Sequence, residues 1–97
     1  MAFFRKKPVV VEAFTFDEVV AEGRAHCAAN GIDLNGGMPW SFPFRGHPIT
    51  HENDCCYLIP TREGVMQMTA NDMLLVGVEG EIYPCKLDIF HKTYEDV

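Results

Sequence analysis

Tyr57 to Tyr94 reads YLIPTREGVMQMTANDMLLVGVEGEIYPCKLDIFHKTY, a run of short β-prone segments separated by turn residues. Tyr57-Leu58-Ile59 is apolar and stops at Pro60, which cannot donate to a ladder from a central strand. Thr61-Arg62-Glu63-Gly64 carries the glycine of a hairpin connection. Val65 to Thr69 alternates, with Met66 and Met68 on one face and Val65, Gln67 and Thr69 on the other, as a half-buried strand does. Asn71-Asp72 is turn chemistry, and Met73 to Val76 is continuously apolar, as expected of a strand covered on both faces. Gly77-Val78-Glu79-Gly80 makes a second glycine-bounded turn before a strand from Glu81 to Cys85. Leu87 to Phe90 is compatible with one helical turn, and His91 to Glu95 is expected to close the chain as a short strand.

Working outward, 97 residues make one domain whose core is marginal in size, so association with a second copy would help it. Hydrophobic content of 47% with 23% charged residues describes a globular chain and excludes a disordered one. The net charge of −6 argues against general nucleic-acid binding, which needs a basic face. No apolar run approaches membrane-spanning length. The start, Met1-Ala2-Phe3-Phe4-Arg5-Lys6-Lys7, has charges after a short apolar pair and no apolar core behind them, unlike a signal peptide. The expected location is therefore the cytoplasm, where Cys27, Cys55, Cys56 and Cys85 would be free thiols, partly buried.

Pro8 to Phe16 is the first expected strand, apolar on both faces and so placed inside a sheet. Glu12 is its one charge, best explained by a position near the sheet margin or a basic partner. Thr15 with Glu18 fits a capping box, and Asp17 suits a first turn. The helix that follows should run from Asp17 to Ala29 and stop at Asn30-Gly31, with Val19, Val20, Gly23 and Cys27 on its apolar face. Asn35 to Pro48 is rich in glycine, proline and aromatics, which forbids a long helix. Trp40, Phe42 and Phe44 alternate there, so a short strand fits its middle; the aromatics either cap the small core or form a recognition loop. Thr50 to Asp54 is polar and reads as a solvated connection.

Two blocks, RKKPVVVEAF at Arg5–Phe14 and VGVEGEIYPCKLDIFHKTYE at Val76–Glu95, resemble a small family of tailed-bacteriophage and prophage proteins. That family ends in a pattern close to a Gly-Asp-aromatic turn, a GE-aromatic-PCKPDIF run and TYE. Here Asn71-Asp72-Met73 stands in place of the turn, and Leu87 in place of the proline before Asp88. The resemblance implies a phage protein acting in the host bacterial cytoplasm and implies no catalytic mechanism.

The residues themselves offer three kinds of chemistry. His47, His51 and Cys55 are spaced by four, with Cys56, Cys85 and His91 elsewhere; zinc accepts such ligands, but Pro48 breaks the helix that would align them, and no metal or cofactor is expected. Cys85 beside Lys86, with Asp72, Asp88 and His91, could serve a small hydrolase or metal-dependent enzyme, but no nucleophile or phosphate-binding motif accompanies them. Cations near flat rings suit an anionic aromatic ligand such as a nucleotide. The candidate ligand contacts are Arg5, Lys7, Trp40, Arg45, Tyr83, Lys86 and Tyr94. Against that, Arg5 to Lys7 would also blunt an exposed strand start.

The expected fold is α+β, a small antiparallel bent sheet or half-barrel of five or six strands with one packed helix. The expected function is a non-enzymatic phage accessory protein that counters host defence by sequestering a nucleotide-derived signal. The alternatives are a module that binds and inhibits a host protein, and a small hydrolase or metal-dependent enzyme. Its partner is thus a small anionic or nucleotide ligand or a host protein, and a homo-oligomer is expected.

Overall fold

The computed structural model describes residues 1–5, 9–53 and 55–95. Seven strands and two helices follow in the order β1 (Glu12–Phe14), α1 (Phe16–Ala29), β2 (Ser41–Phe44), β3 (His47–Asn53), β4 (Cys56–Thr61), β5 (Gly64–Met68), β6 (Asp72–Val76), β7 (Ile82–Lys86) and α2 (Leu87–Thr93). The class is α+β as expected, but the strands form two antiparallel sheets and not one half-barrel. One sheet has the order β1-β6-β7 and the other β2-β3-β4-β5.

Both sheets and α1 share one core. Phe42 and Phe44 of β2, Ile49 of β3, Tyr57 and Ile59 of β4, Met68 of β5, Leu74 of β6 and Ile82 of β7 meet Phe16 and Val19 of α1. The helix begins as its sequence dictates. Thr15 Oγ1 accepts from the Glu18 N–H, and the Glu18 carboxylate accepts from the Thr15 N–H, so two otherwise orphaned donors are satisfied. Its buried residues, Phe16, Val19, Gly23 and Cys27, fall at helical spacing. Gly23 sits where the helix meets β2: a Cβ there would lie 2.6 Å from ring atoms of both Phe42 and Pro39.

Some expectations need correction. The first strand is three residues long and lies at a sheet edge, because its partner β6 ends where Glu12 pairs with Val76. Among the described residues Val9 and Val10 pair with no strand, and both are exposed; Pro8 lies outside the described residues. The polar Thr50-His51-Glu52-Asn53 segment belongs to β3, an interior strand of its sheet, with Asp54 outside the described residues. The aromatic segment Asn35–Pro48, in contrast, holds the short strand expected in its middle: Phe42 pairs with Ile49 and Phe44 with His47 across a tight hairpin. The terminal segment is helix to Thr93, not strand from His91.

Other expectations are met. Met73, Leu74 and Leu75 of β6 are all buried, so this central strand is covered on both faces. Gly77 to Gly80 forms the turn into β7, with the Gly77 N–H bonded to the Glu81 carbonyl. Of β5 only Met68 is buried; Val65 and Met66 are exposed on what is an edge strand. Pro60, by contrast, does not end its strand as expected: β4 continues to Thr61 with Pro60 opposite Val65 of β5, on a stretch past the Thr50–Leu58 pair where the β3 ladder ends. All four cysteines are free. No described helix is long and apolar enough to cross a membrane.

Candidate functional site

The six candidate contacts among the described residues fall in three places. Arg5 lies in the exposed N-terminal segment, and Lys7 lies outside the described residues. Trp40 and Arg45 flank the four residues of β2, one on each side. At about 3.3 Å per residue they stand roughly 16 Å apart, so they do not form one cation–ring box. Tyr83, Lys86 and Tyr94 gather at the β7–α2 corner.

Arg45 is accounted for by structure. It occupies the β2–β3 turn with φ of 49°, followed by Gly46 at 81°. Two consecutive positive φ angles are what a two-residue hairpin of this hand requires, and a long side chain there is unfavourable by about 1 kcal/mol. The side chain finds compensating contacts. Its guanidinium donates to Glu12 at 3.0 Å and lies 5.2 Å from the Phe14 ring centroid and 5.7 Å from that of Phe44. Glu12 thereby has the basic partner, and the marginal position, that its sequence context suggested.

Trp40 is the opposite case. Its neighbours on the chain are anchored: Pro39 and Phe42 are buried, and the Tyr57 hydroxyl donates to the Pro39 carbonyl at 3.2 Å. The indole nevertheless remains 71% exposed. It leans on His51 of β3 with ring centroids 5.3 Å apart, and His51 in turn meets the Tyr57 ring. The result is a large flat apolar group held on a rigid base and left open to solvent.

At the β7–α2 corner, Phe90 and Tyr94 stack with centroids 5.2 Å apart at 20°. Burial and a hydrogen bond to Tyr94 push the Tyr83 hydroxyl up to about 12. Lys86 reaches the buried Asp72 carboxylate at 3.6 Å, whose other oxygen accepts from the Thr69 N–H and hydroxyl. Asp72 thus closes the Thr69–Asp72 turn, with both of its oxygens engaged. The neighbouring Cys85 is poorly suited to nucleophilic attack. Burial and then the charges of Asp72 and Asp88 push its thiol up, the reverse of the lowering that Lys86 next in sequence could have given. Cys85 should accordingly alkylate more slowly than exposed Cys55 at neutral pH, and the gap should narrow as pH rises; mass-resolved iodoacetamide labelling measures both.

His47 serves the join between sheets. Its Nε2 donates to the Gly80 carbonyl at 2.7 Å, while Arg62 of the β4–β5 hairpin pairs with Glu79 at 2.8 Å and Glu81 at 3.4 Å. These contacts line an open groove of about 310 Å³ with Pro60, Thr61 and Ile82. Among the described residues no three His, Cys, Asp or Glu side chains gather as metal ligands would.

His51, the support of Trp40, carries no local sequence signal for that role. An alternation signal places Trp40, Phe42 and Phe44 on one face, but the partner across the hairpin depends on register. The chain matches no protein-family model, no curated protein and no solved structure in the three comparisons made.

Proposed function

We propose that this protein acts by binding and not by catalysis, as a phage or prophage accessory protein that grips a host protein through Trp40. The observation that carries this reading is the exposed indole on a fixed base of Pro39, Phe42 and His51. A rigid aromatic that has already lost its conformational freedom is the kind of group that dominates protein interfaces.

A second reading rests on the β7–α2 corner. Tyr83, Phe90 and Tyr94 offer a ring surface with the ammonium of Lys86 on the same strand as Tyr83. That inventory suits a nucleotide-derived signal, sequestered in the host cytoplasm. The ranking follows from the cations: Arg45 and Lys86 each already face a carboxylate, so a phosphate would have to displace Glu12 or Asp72.

One experiment separates the two. Tagged protein and its Trp40→Ala variant are passed through bacterial lysate, and both are titrated with a panel of cyclic and ADP-ribose-type nucleotides. The first reading expects a host protein retained by the parent and lost, roughly a hundredfold weaker, by Trp40→Ala, with no nucleotide bound. Retention unchanged by Trp40→Ala overturns it. Nucleotide binding that survives Trp40→Ala and fails in Tyr83→Ala establishes the second.

A further inference from the structure

We infer that the Trp40 surface seats an acidic segment of the partner protein, with Arg24 of α1 as its second contact. This rests on the docking role proposed above for Trp40 and names what such a partner presents: a carboxylate beside an apolar side chain. Most other cations of the chain are accounted for within it. Arg45 faces Glu12, Arg62 faces Glu79 and Glu81, and Lys86 faces Asp72. Lys92 lies in the last turn of α2, where the helix dipole favours positive charge, four residues after Asp88. Arg24 has no such use. It is exposed in the middle of α1, before the last turn that holds His26. The residues three and four away on either side are Val20, Ala21, Cys27 and Ala28, so no helical ion pair forms. Among the described residues no carboxylate lies within ion-pair distance of it.

The helix brings this charge to the end of the fold that carries the indole. Gly23, the residue before Arg24, presses on Pro39 and Phe42, which lie on either side of Trp40 along the chain. The Tyr57 hydroxyl donates to the Pro39 carbonyl, and the Arg24 charge acts on that hydroxyl against the upward push of burial. The acids of α1 do not share the place. Glu18 and Glu22 line a groove with Phe14, Ala21 and Ala25, roughly 120–160° round the helix from Arg24. Asp17 lies in the first turn, about 10 Å away along the axis. The charge that α1 contributes beside the indole is therefore positive, on a chain whose net charge is −6.

Tryptophan and arginine are the side chains that most often carry the binding energy of an interface. The indole, 71% exposed, offers apolar area to cover. The guanidinium offers a planar fork that a carboxylate fits with two parallel hydrogen bonds. Covering the indole also removes water from a cation beside it. A neutral segment would leave Arg24 desolvated without a counter-charge, and a basic one would set two cations against each other. An apolar side chain flanked by a carboxylate satisfies both groups at once.

The test is a titration of the full chain with two short peptides, read by the emission of Trp40. One peptide is built of glutamate, leucine and glycine; the other has glutamine in place of every glutamate. The glutamate peptide should change the emission and saturate, and the glutamine peptide should bind roughly tenfold more weakly. Arg24→Gln should weaken the glutamate peptide by roughly tenfold and leave the glutamine peptide unchanged. Arg24→Glu should reverse the preference. Arg24 is exposed, so both variants should keep the far-UV spectrum and melting midpoint of the parent. A glutamate peptide that does not bind, equal affinity for the two peptides, or a preference that Arg24→Gln leaves intact overturns the inference. Its failure is separable from that of the docking role. If Trp40→Ala still abolishes capture of a host protein, Trp40 docks a partner that is not acidic at this place; if capture is unchanged by Trp40→Ala, the docking role itself falls.

Discussion

Tyr57→Ala should lower the stability of this domain by about 4 kcal/mol. The ring is fully buried. It packs against Phe16 at 5.3 Å between centroids and edge-on against Phe42 at 5.6 Å, so its removal opens a cavity where α1, β2 and β4 meet. Small domains hold only about 5–15 kcal/mol in total, and each kcal/mol shifts the melting midpoint of a chain this size by about 4–8 °C. Thermal and urea melts should therefore show a midpoint falling by about 20 °C. A loss below about 1 kcal/mol would mean that the sheets do not meet around this ring. Tyr57→Phe isolates the hydroxyl. Losing the bond to the Pro39 carbonyl should cost about 1 kcal/mol near neutral pH. At alkaline pH the sign changes. Burial, partly opposed by Arg24, pushes the Tyr57 hydroxyl up to about 12 in the fold, against about 10 in the unfolded chain. This contribution is intact below pH 10 and is lost as pH rises from 10 to 12, because only the unfolded state can ionise there. The parent should lose on the order of 2 kcal/mol from Tyr57 over that window. Tyr57→Phe should lose less, keeping the parallel losses expected from Tyr83 and Cys85.

The parts of the fold that could be read directly are those whose cause is local. The Thr15–Glu18 capping box, the stop at Asn30-Gly31 and the glycine turn before β7 each require particular residues at fixed offsets, and each is present. Met73 to Val76 announces a buried strand because four apolar residues in a row cannot leave one face in water. β3 was hidden because its evidence lies in its neighbours: Thr50-His51-Glu52-Asn53 looks solvated until β2 and β4 pair with it from either side. The start of α2 at Leu87 was legible, and the Leu87 N–H bonded to the Asn71 carbonyl holds it there; its continuation from His91 to Thr93 was hidden because Thr93 and Tyr94 favour strands. The same division holds at the candidate site. Residue types that suit a flat or anionic partner can be counted along a chain. Their separation cannot, and it is the intervening β2 strand that carries Arg45 away from Trp40 and towards Glu12.

Gly23 carries the second large prediction, and it joins the fold to the proposed docking group. In an exposed helix, replacing glycine by alanine stabilises by about 1 kcal/mol. Here the added Cβ would meet Phe42 and Pro39 at 2.6 Å, and both are buried rings with no free end to swing away. Gly23→Ala should therefore destabilise by about 1–2 kcal/mol despite its helix propensity, and Gly23→Leu by 3 kcal/mol or more. Pro39 and Phe42 lie on either side of Trp40 along the chain, so the displacement that relieves the clash moves the base on which the indole stands. Trp40 is the single tryptophan, and its fluorescence reports that movement without a label. Gly23→Ala should change Trp40 emission and quenching while retaining the helical far-UV signal, and it should weaken capture of the host partner without touching any contact residue. If Gly23→Ala instead raises the melting midpoint and leaves the indole signal unchanged, α1 does not press on Pro39 and Phe42. In that case the rigidity that singles out Trp40 as a docking group has no structural source.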